Sequence, residues 1–534
     1  MGLGKTIKNL FMFDSPSSEF ELLETEFGEP KTIMSDTGRE QSPPHSIKPK
    51  NASVLGTVQE NTDYIKRRFR GDINKDLIVR EFMLGGSVNA AAVMMNGLAS
   101  AQTVSDFILR DGMLFSLPES IEGSLSDYAV KHIFTASEAA LRTDFREIEA
   151  NIIEGQTVVF IEGDTSAIVF DTRNFPQRAV DSPQNEKTVL GPNDSFNESI
   201  RTNISLIRRK VTTEDLVCEM RRYGEDNNTT IGIMYREGVA NPALVHEVKK
   251  RISNTKNPTV LSTGILEQFI EGNHISPIPQ VLLTERPDRC ASFLVEGNVI
   301  LLCDGTPAAA ILPVTLFALM ASPEDTYIRQ PLGTVIRFLR YMGALISIFL
   351  PGVFLSTIMY HQGFLSTEVI NTFVASRKMV YISVGSEIII LLLVFQLVRE
   401  AGLRVPGSTG QAIGIIGGVL MGQAAVSANL VSTIILILVA LTGLGNFCIP
   451  DHSTQIAATY LRLAFIAAGW LAGFLGIISV FSIIVAHLCY LKSFGVPMLS
   501  PYSPKSYAKR QVILRGKIGE TDANTDYTNE VNRK

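Results

Sequence analysis

The uneven distribution of charge constrains this chain more than any single motif does. From Val299 to Leu491 charged residues thin out and apolar runs follow one another, each near the roughly 20 residues a helix needs to cross a hydrocarbon layer. Ahead of Asn298 the sequence is mixed and charged, like that of a soluble protein. The reading is an α/β soluble amino-terminal half followed by an α-helical polytopic membrane domain. At 534 residues the chain also exceeds one ordinary domain.

The candidate spans are 299–320, 341–361, 380–398, 411–429, 430–449 and 463–491. The first is interrupted by Asp304, Pro307 and Pro313. The run 411–449 would make one helix of about 58 Å against a hydrocarbon core of about 30 Å, so it has to fold back near Ser427–Ser432. Lys492, Lys505, Lys509, Arg510, Arg515 and Lys517 follow the last span and argue for a cytosolic carboxyl end. With a cytosolic amino half the crossings are even in number. Four spans suit the charge rule and six suit apolar length, and both stay open here.

Two small α/β units are expected in the soluble half. In the first, "DLIVREFML" suits a strand and "TVVFIEGDTSAIVFDT" a strand–turn–strand around Gly163-Asp164. In the second, "DSFNESIRTNISLIRRKV" is a helix capped at Asp194 or Ser195, with Ile200, Ile204 and Ile207 on one stripe. "TTIGIMY" is a strand and "NPALVHEVKKRISN" a helix with Pro242 in its first turn. "CASFLVEGNVILLCDG" reads as strand–turn–strand leading into the membrane. The expected divisions are a disordered tail (1–54), the first unit (55–185), the second (186–297), a membrane domain of four to six spans (298–491) and a cytosolic carboxyl tail (492–534).

The region from Gly410 to Ser432 concentrates the functional signals. Gly410, Gly414, Gly418 and Gly422 lie four apart, a small-residue stripe that lets helix backbones approach, within one chain or between copies. Gln423, Val426, Ser427 and Asn429 follow, where the long apolar run has to turn, and are candidates to line or gate a water path. Two acids fall in candidate spans, Asp304 and Glu387, and charges there have to face protein, water or the interface. Glu400 with Arg399 and Arg404 is placed in a loop, His487 at an interface, and Trp470 beside Gly469 and Gly473. Glu285, Arg286, Asp288 and Arg289, just ahead of the membrane half, make a candidate coupling joint. Arg208-Arg209-Lys210 reads as the solvated end of a helix or as a contact for anions.

Other function classes find little support. A net charge of −5 offers no field for nucleic acid. The five cysteines form no CxxC pair, so neither a zinc site nor a disulfide framework is indicated. "MGLGKT" lacks the first glycine and preceding strand of a phosphate loop, and its myristoylation-like pattern has nothing else to support it. No apolar run follows the amino terminus, so no secretory signal is expected and the soluble half is placed in the cytosol. An aspartyl protease using Asp304 would need a second membrane aspartate, and Asp451 lies in a loop. A secondary transporter would favour internal repeats of broken helices, and the glycine ladder has no second copy. No catalytic residue, cofactor or metal is expected.

Several stretches together resemble the A-subunit family of bacterial spore germinant receptors, the GerA type: "LGPNDSFNESIRTNISLIRRK", "TERPDR", "EGNVILLCDGTPAAAILP" and "REAGLRVPGSTGQAIGIIGGVLMGQAAVSANLVS". Order and spacing match as well, from about residue 55 to about 505. Asn193-Asp194 departs from a common basic–acidic pair, and Ser427 stands where a glutamate is frequent. The resemblance implies a homo-oligomer in the spore inner membrane, working with a transporter-like B subunit and a C-subunit lipoprotein. It further implies a cation channel that opens on nutrient binding.

Overall fold

The structure, a computed structural model, describes residues 53–118, 123–173, 190–224, 227–254, 259–404 and 421–503, together with 183, 186, 188 and 418. In unit 1 the chain runs α1 (Val58–Arg68), β1 (Leu77–Leu84), β2 (Val88–Met95), α2 (Leu125–His132), β3 (Ala139–Arg142), α3 (Phe145–Ile153), β4 (Thr157–Ile161) and β5 (Ala167–Phe170). Its antiparallel sheet has the order β1-β2-β4-β5-β3. β4 and β5 are apolar at nearly every position because helices cover both faces, leaving no wet side to demand alternation.

Unit 2 comprises α4 (Ile200–Lys210), β6 (Leu216–Tyr223), β7 (Thr229–Arg236), α5 (Pro242–Asn254), α6 (Thr263–Ile270), β8 (Leu282–Thr284), α7 (Pro287–Val295), β9 (Val299–Cys303) and β10 (Ala309–Leu312). The sheet order β6-β7-β9-β10-β8 repeats that of unit 1 strand for strand. The likeness extends to single bonds. Buried Asn61 exchanges two hydrogen bonds with the backbone of Leu55, and buried Asn203 does the same with Asn197. The Glu162 carboxylate accepts from Val58 N at the start of α1, and that of Asp304 from Ile200 N at the start of α4. Gly163 and Gly305, each next in sequence, turn the two hairpins with φ near +85°. The soluble half is a tandem duplication.

The two units are joined by a buried ion pair. Arg208 on α4 donates from Nε and Nη2 to Asp76 Oδ2 at 3.0 and 2.8 Å, and from Nη2 to Asn74 Oδ1 at 3.2 Å. Arg68–Glu214 and Arg70–Glu237 flank it, and Lys210 pairs with Asp194 at 2.7 Å. Arg208 therefore belongs to the interface between the units, not to a solvated helix end or an anion site. The α4 cap also differs from expectation, since the helix begins after Ser199 and takes its acid from Asp304.

The first candidate span is corrected outright. Residues 299–312 form β9 and β10, hydrogen-bonded within the second sheet, so the helical half begins later than 298. A strand buried on both faces has the same continuous apolar run as a short membrane segment. Asp304 consequently lies outside the helical half. "CASFLVEG" is likewise helical rather than a strand, with Pro287 opening α7 and Gly297 turning into β9 at φ +96°.

The helical half contains α8 (Gln330–Tyr360), α9 (Thr367–Ser376), α10 (Val384–Arg404), α11 (Thr433–Phe447) and α12 (His452–Tyr490). Arg399, Glu400 and Arg404 occupy the last turns of α10 rather than a loop. α8 and α12 are long and apolar enough to cross a membrane. α12 is not straight: at Gly473 φ is +61° and ψ −142°, which breaks the helix. Up to the break α12 runs parallel to α8, with Arg462 against Ser347 and Trp470 O accepting from Tyr360 Oη. Beyond it the chain turns back, Phe481 returning to Phe349 and His487 Nε2 reaching Ser276 Oγ at 3.0 Å. The expected single last span is thus a helical hairpin with arms of about 32 and 26 Å. Trp470 packs on Gly385, and His487 is buried against unit 2.

Residues 492–503 do not begin a tail. β11 (Lys492–Ser493) and β12 (Val496–Pro497) form a hairpin whose Phe494 and Val496 enter the unit 2 core. Leu491 and Met498 fill the core on the sheet's other face. Both ends of the helical bundle are therefore anchored in unit 2.

Candidate functional site

Where unit 2 meets the bundle, the candidate coupling residues come together around one guanidinium. Arg286 is fully buried. It donates to Asp288 Oδ1 and Oδ2 at 3.1 and 2.9 Å, to Glu186 O at 3.2 Å, to Thr188 Oγ1 at 2.9 Å and to Pro192 O at 2.8 Å. Five bonds satisfy a group that would otherwise be costly to bury. Asp288 also accepts from Tyr327 Oη at 2.8 Å, and Tyr327 lies against Gly191, where a Cβ would be 2.7 Å from the ring. Arg289 pairs with Glu186 and donates to Ala321 O at 2.8 Å. Glu285 joins through its backbone, its N–H donating to Glu186 Oε2 and its carbonyl accepting from Phe196 N. The joint ties three segments together: the stretch between the units, the start of α7, and the chain leading to α8. Glu186 escaped the sequence reading because nothing local marks it.

One turn further, Asp325 accepts from Arg340 at 2.8 and 2.9 Å and from Arg337 at 3.1 Å. Burial works against its charge, but the two guanidinium groups outweigh it and hold the carboxyl below its usual range. Carboxylates also gather at the start of α12. Burial, then the like charges of Glu271 and Asp451, push Glu267 up to about 8. Burial raises Glu271 to about 6 although Gln280 N donates to it.

At the far end of the bundle, Glu387 on α10 is fully buried. Its carboxylate accepts from Arg377 Nε at 3.2 Å and from the N–H of Ser432, the N-cap of α11. An acid at a helix start satisfies an orphan N–H and meets the positive end of the dipole. Glu387 thereby pins the turn in which the long apolar run reverses, and Arg377, which follows α9, completes the pair.

The candidate pore residues stand immediately before that turn. Residues 421–427 are helical, and Asn429 adopts φ +55° as the chain leaves the helix. Gln423, Ser427 and Asn429 are exposed, while Val426 is half-buried against the cluster of α8, α10 and α11. Gly418 has open space where a Cβ would be, and Gly422 meets only Leu436 at ordinary contact distance. Gly410 and Gly414 lie outside the described residues. At Gly418 and Gly422 the stripe thus makes no close backbone contact with any described residue. The tight glycines are others: a Cβ on Gly445 would be 2.4 Å from Gly343 O, and one on Gly469 would be 2.5 Å from Gly352 O. Irregular spacing hid them, since each pair is split between two helices. Among the described residues no group of His, Cys, Asp and Glu is disposed to hold a metal.

Comparison with known proteins adds a family. The model of the Bacillus/Clostridium GerA spore germination protein matches residues 63–526. A Bacillus subtilis (strain 168) protein described as the uncharacterized membrane protein YfkQ is 34% identical, over 80% of this chain and 83% of its own. Spore germination protein GerLA of Bacillus cereus is 32% identical over 84% and 92%, and spore germination protein A1 of Bacillus subtilis 34% over 80% and 87%. Among solved structures, the amino-terminal domain of the A subunit of the Bacillus megaterium spore germinant receptor GerK3 is 25% identical, covering 49% of this chain and 96% of that one with a TM-score of 0.38.

Proposed function

We propose a function from one premise, that the chain belongs to the GerA spore germination protein family: it is the A subunit of a spore germinant receptor and couples nutrient sensing to ion release as an oligomeric, nutrient-gated cation channel. The soluble half lies in the cytosol and the helical half in the spore inner membrane, with a transporter-like B subunit and a C-subunit lipoprotein as partners. The chain carries out no catalysis. Since unit 2 anchors both ends of the bundle, the crossings are even in number.

The observation that carries the channel reading is the exposure, among the described residues, of Gly418 and of most of residues 421–430. A Cβ at Gly418 would meet nothing within 4 Å among the described residues, and Met421 and Leu430 are large apolar side chains left exposed beside Gln423, Ser427 and Asn429. A face of small, polar and apolar residues left largely exposed among the described residues suits neighbouring copies packed around a shared water path. The joint at Arg286 supports coupling, because movement of either unit reaches α8 through charged contacts rather than a loose linker.

The test is reconstitution of the full chain in vesicles. Channel-like currents that change on substitution of Gln423, Val426, Ser427 or Asn429 are expected, together with a ring-sized assembly. Saturable substrate exchange would instead favour a secondary transporter. A monomer without conductance would leave an accessory transducer.

A further inference from the structure

Pro351 lies inside α8, within its apolar stretch. A proline has no N–H, so the carbonyl of Ser347, four residues earlier, loses its helical donor. In an apolar bundle no water replaces that donor. Arg462 on α12 supplies it: Nε donates to Ser347 O at 2.9 Å, while Nη2 donates to Ser347 Oγ at 2.9 Å and to Asn446 Oδ1 at 3.0 Å. Ser347 Oγ in turn donates to Asn446 Oδ1 at 3.3 Å. One side chain thus binds α8 to α11 and α12.

Two features set this apart from ordinary packing. Arg462 is 4% exposed, yet its described partners are a carbonyl, a hydroxyl and an amide, none of them charged. A guanidinium is an expensive way to fill one orphan bond in an apolar bundle, and neutral partners hold it less firmly than a carboxylate would. The proline step is also gripped on its next residue. A Cβ on Gly352 would be 2.6 Å from Phe465 O, and one on Gly469 2.5 Å from Gly352 O, so α12 touches the backbone of α8 at the proline step itself. Prolines are where long helices bend.

We propose that Pro351 is a hinge in α8 and that Arg462 is its latch. With the guanidinium engaged on Ser347 and Asn446, the two halves of α8 keep the arrangement seen here. Withdrawn, it leaves the Ser347 carbonyl unpaired and the halves free to reorient about the proline. Arg462 is a positioning residue in this scheme. Its bearing on ion release rests on the channel reading above, but the latch itself does not.

The experiment measures spin-label distances in the full chain in nanodiscs, with labels at exposed positions 338 and 359, one in each half of α8, and the exposed Cys448 and Cys489 replaced by serine. The otherwise unaltered chain is expected to give one distance distribution. Arg462→Met is expected to add a second, in about a tenth or more of the molecules. Adding Pro351→Ala restores an N–H to Ser347 O and is expected to remove it. A single distribution in Arg462→Met, or a second one that persists with Pro351→Ala, overturns the latch. Should Arg462→Met fail to fold, Arg462→Lys is measured in its place against the same two outcomes, since an ammonium keeps the charge but loses the fork that binds two helices. Ion release is then read in spores carrying the same variant. Altered distances with unaltered release keep the latch and defeat the channel reading, and the converse pattern does the reverse.

Discussion

The ring of Phe494 lies 4.3 Å from the guanidinium of Arg251, which also pairs with Glu247 at 2.9 Å. The first residue belongs to the chain returning from the bundle and the second to α5 of unit 2. Their contact makes the carboxyl-terminal hairpin a part of the soluble fold. Ending the chain after Tyr490 is expected to destabilise unit 2, although the deleted residues follow it by some two hundred positions. Removing Leu491, Phe494, Val496 and Met498 from the two unit 2 cores empties space that costs roughly 2–5 kcal/mol per large side chain. Limited proteolysis of the full and shortened chains checks this, and equal resistance of unit 2 in both would contradict it.

The glycines divide into two classes with opposite expectations. Gly445→Ala and Gly469→Ala place a methyl group 2.4–2.5 Å from a backbone oxygen of α8. Each should destabilise the bundle by roughly 1–3 kcal/mol, as overpacking does. At Gly418 an added Cβ would have open space among the described residues, so Gly418→Leu is expected to leave the monomer's stability intact while assembly or nutrient response is lost. Detergent-solution melting beside cross-linking separates the two. A Gly418→Leu chain that melts early would move that glycine into the first class.

Glu387 and Arg377 invite a double-mutant cycle. Glu387→Ala takes the carboxylate from Arg377, which keeps its bond to the Ile382 carbonyl, and strands the N–H of Ser432; removing one partner of a buried pair costs roughly 3–5 kcal/mol. Arg377→Met alone should cost less, because Ser432 still donates to the acid. If the pair acts together, the double variant should be less damaged than the two losses summed. Additive losses would mean that Glu387 serves the helix start alone.

A dependence on pH follows from Glu267. Its carboxyl titrates near 8 in the folded chain against a usual 4.5, so the folded state holds a proton that the unfolded state gives up across that window. Stability is therefore fully present below the lower value and falls as pH rises towards 8. Glu271 contributes the same sign over a shorter range, up to about 6. Melting temperatures measured from pH 5 to 8.5 should decline, and Glu267→Gln should flatten most of the decline. A flat profile in the unaltered chain would rule out a buried, raised acid on α6.

Much of the fold was legible because it is written locally. The strands "TVVFIEGDTSAIVFDT" and "TTIGIMY", and the helix from Pro242, follow from β-branched runs, turn glycines and a proline at a helix start. Glu285, Arg286, Asp288 and Arg289 were marked by alternating charge beside an apolar run, and all four fall in one hydrogen-bonded cluster. The failed first span has a plain cause. Val299–Cys303 is apolar throughout because a sheet buries it on both faces, and composition alone does not distinguish that from a membrane segment. The duplication went unseen because its signature lies in matched bonds, such as Glu162 to Val58 and Asp304 to Ile200, more than in matched letters.

By itself the sequence determined the division into soluble and apolar halves, the family, and the positions where polarity interrupts apolar runs, since each depends on residue type and near neighbours. Only the tertiary structure decided what those interruptions do. Asp304 caps a soluble helix, Glu387 fixes a turn, and Arg462 fills the bond that Pro351 leaves open 111 positions away. A buried charge is defined by the partners it finds, and those partners come from chain segments that no local reading brings together.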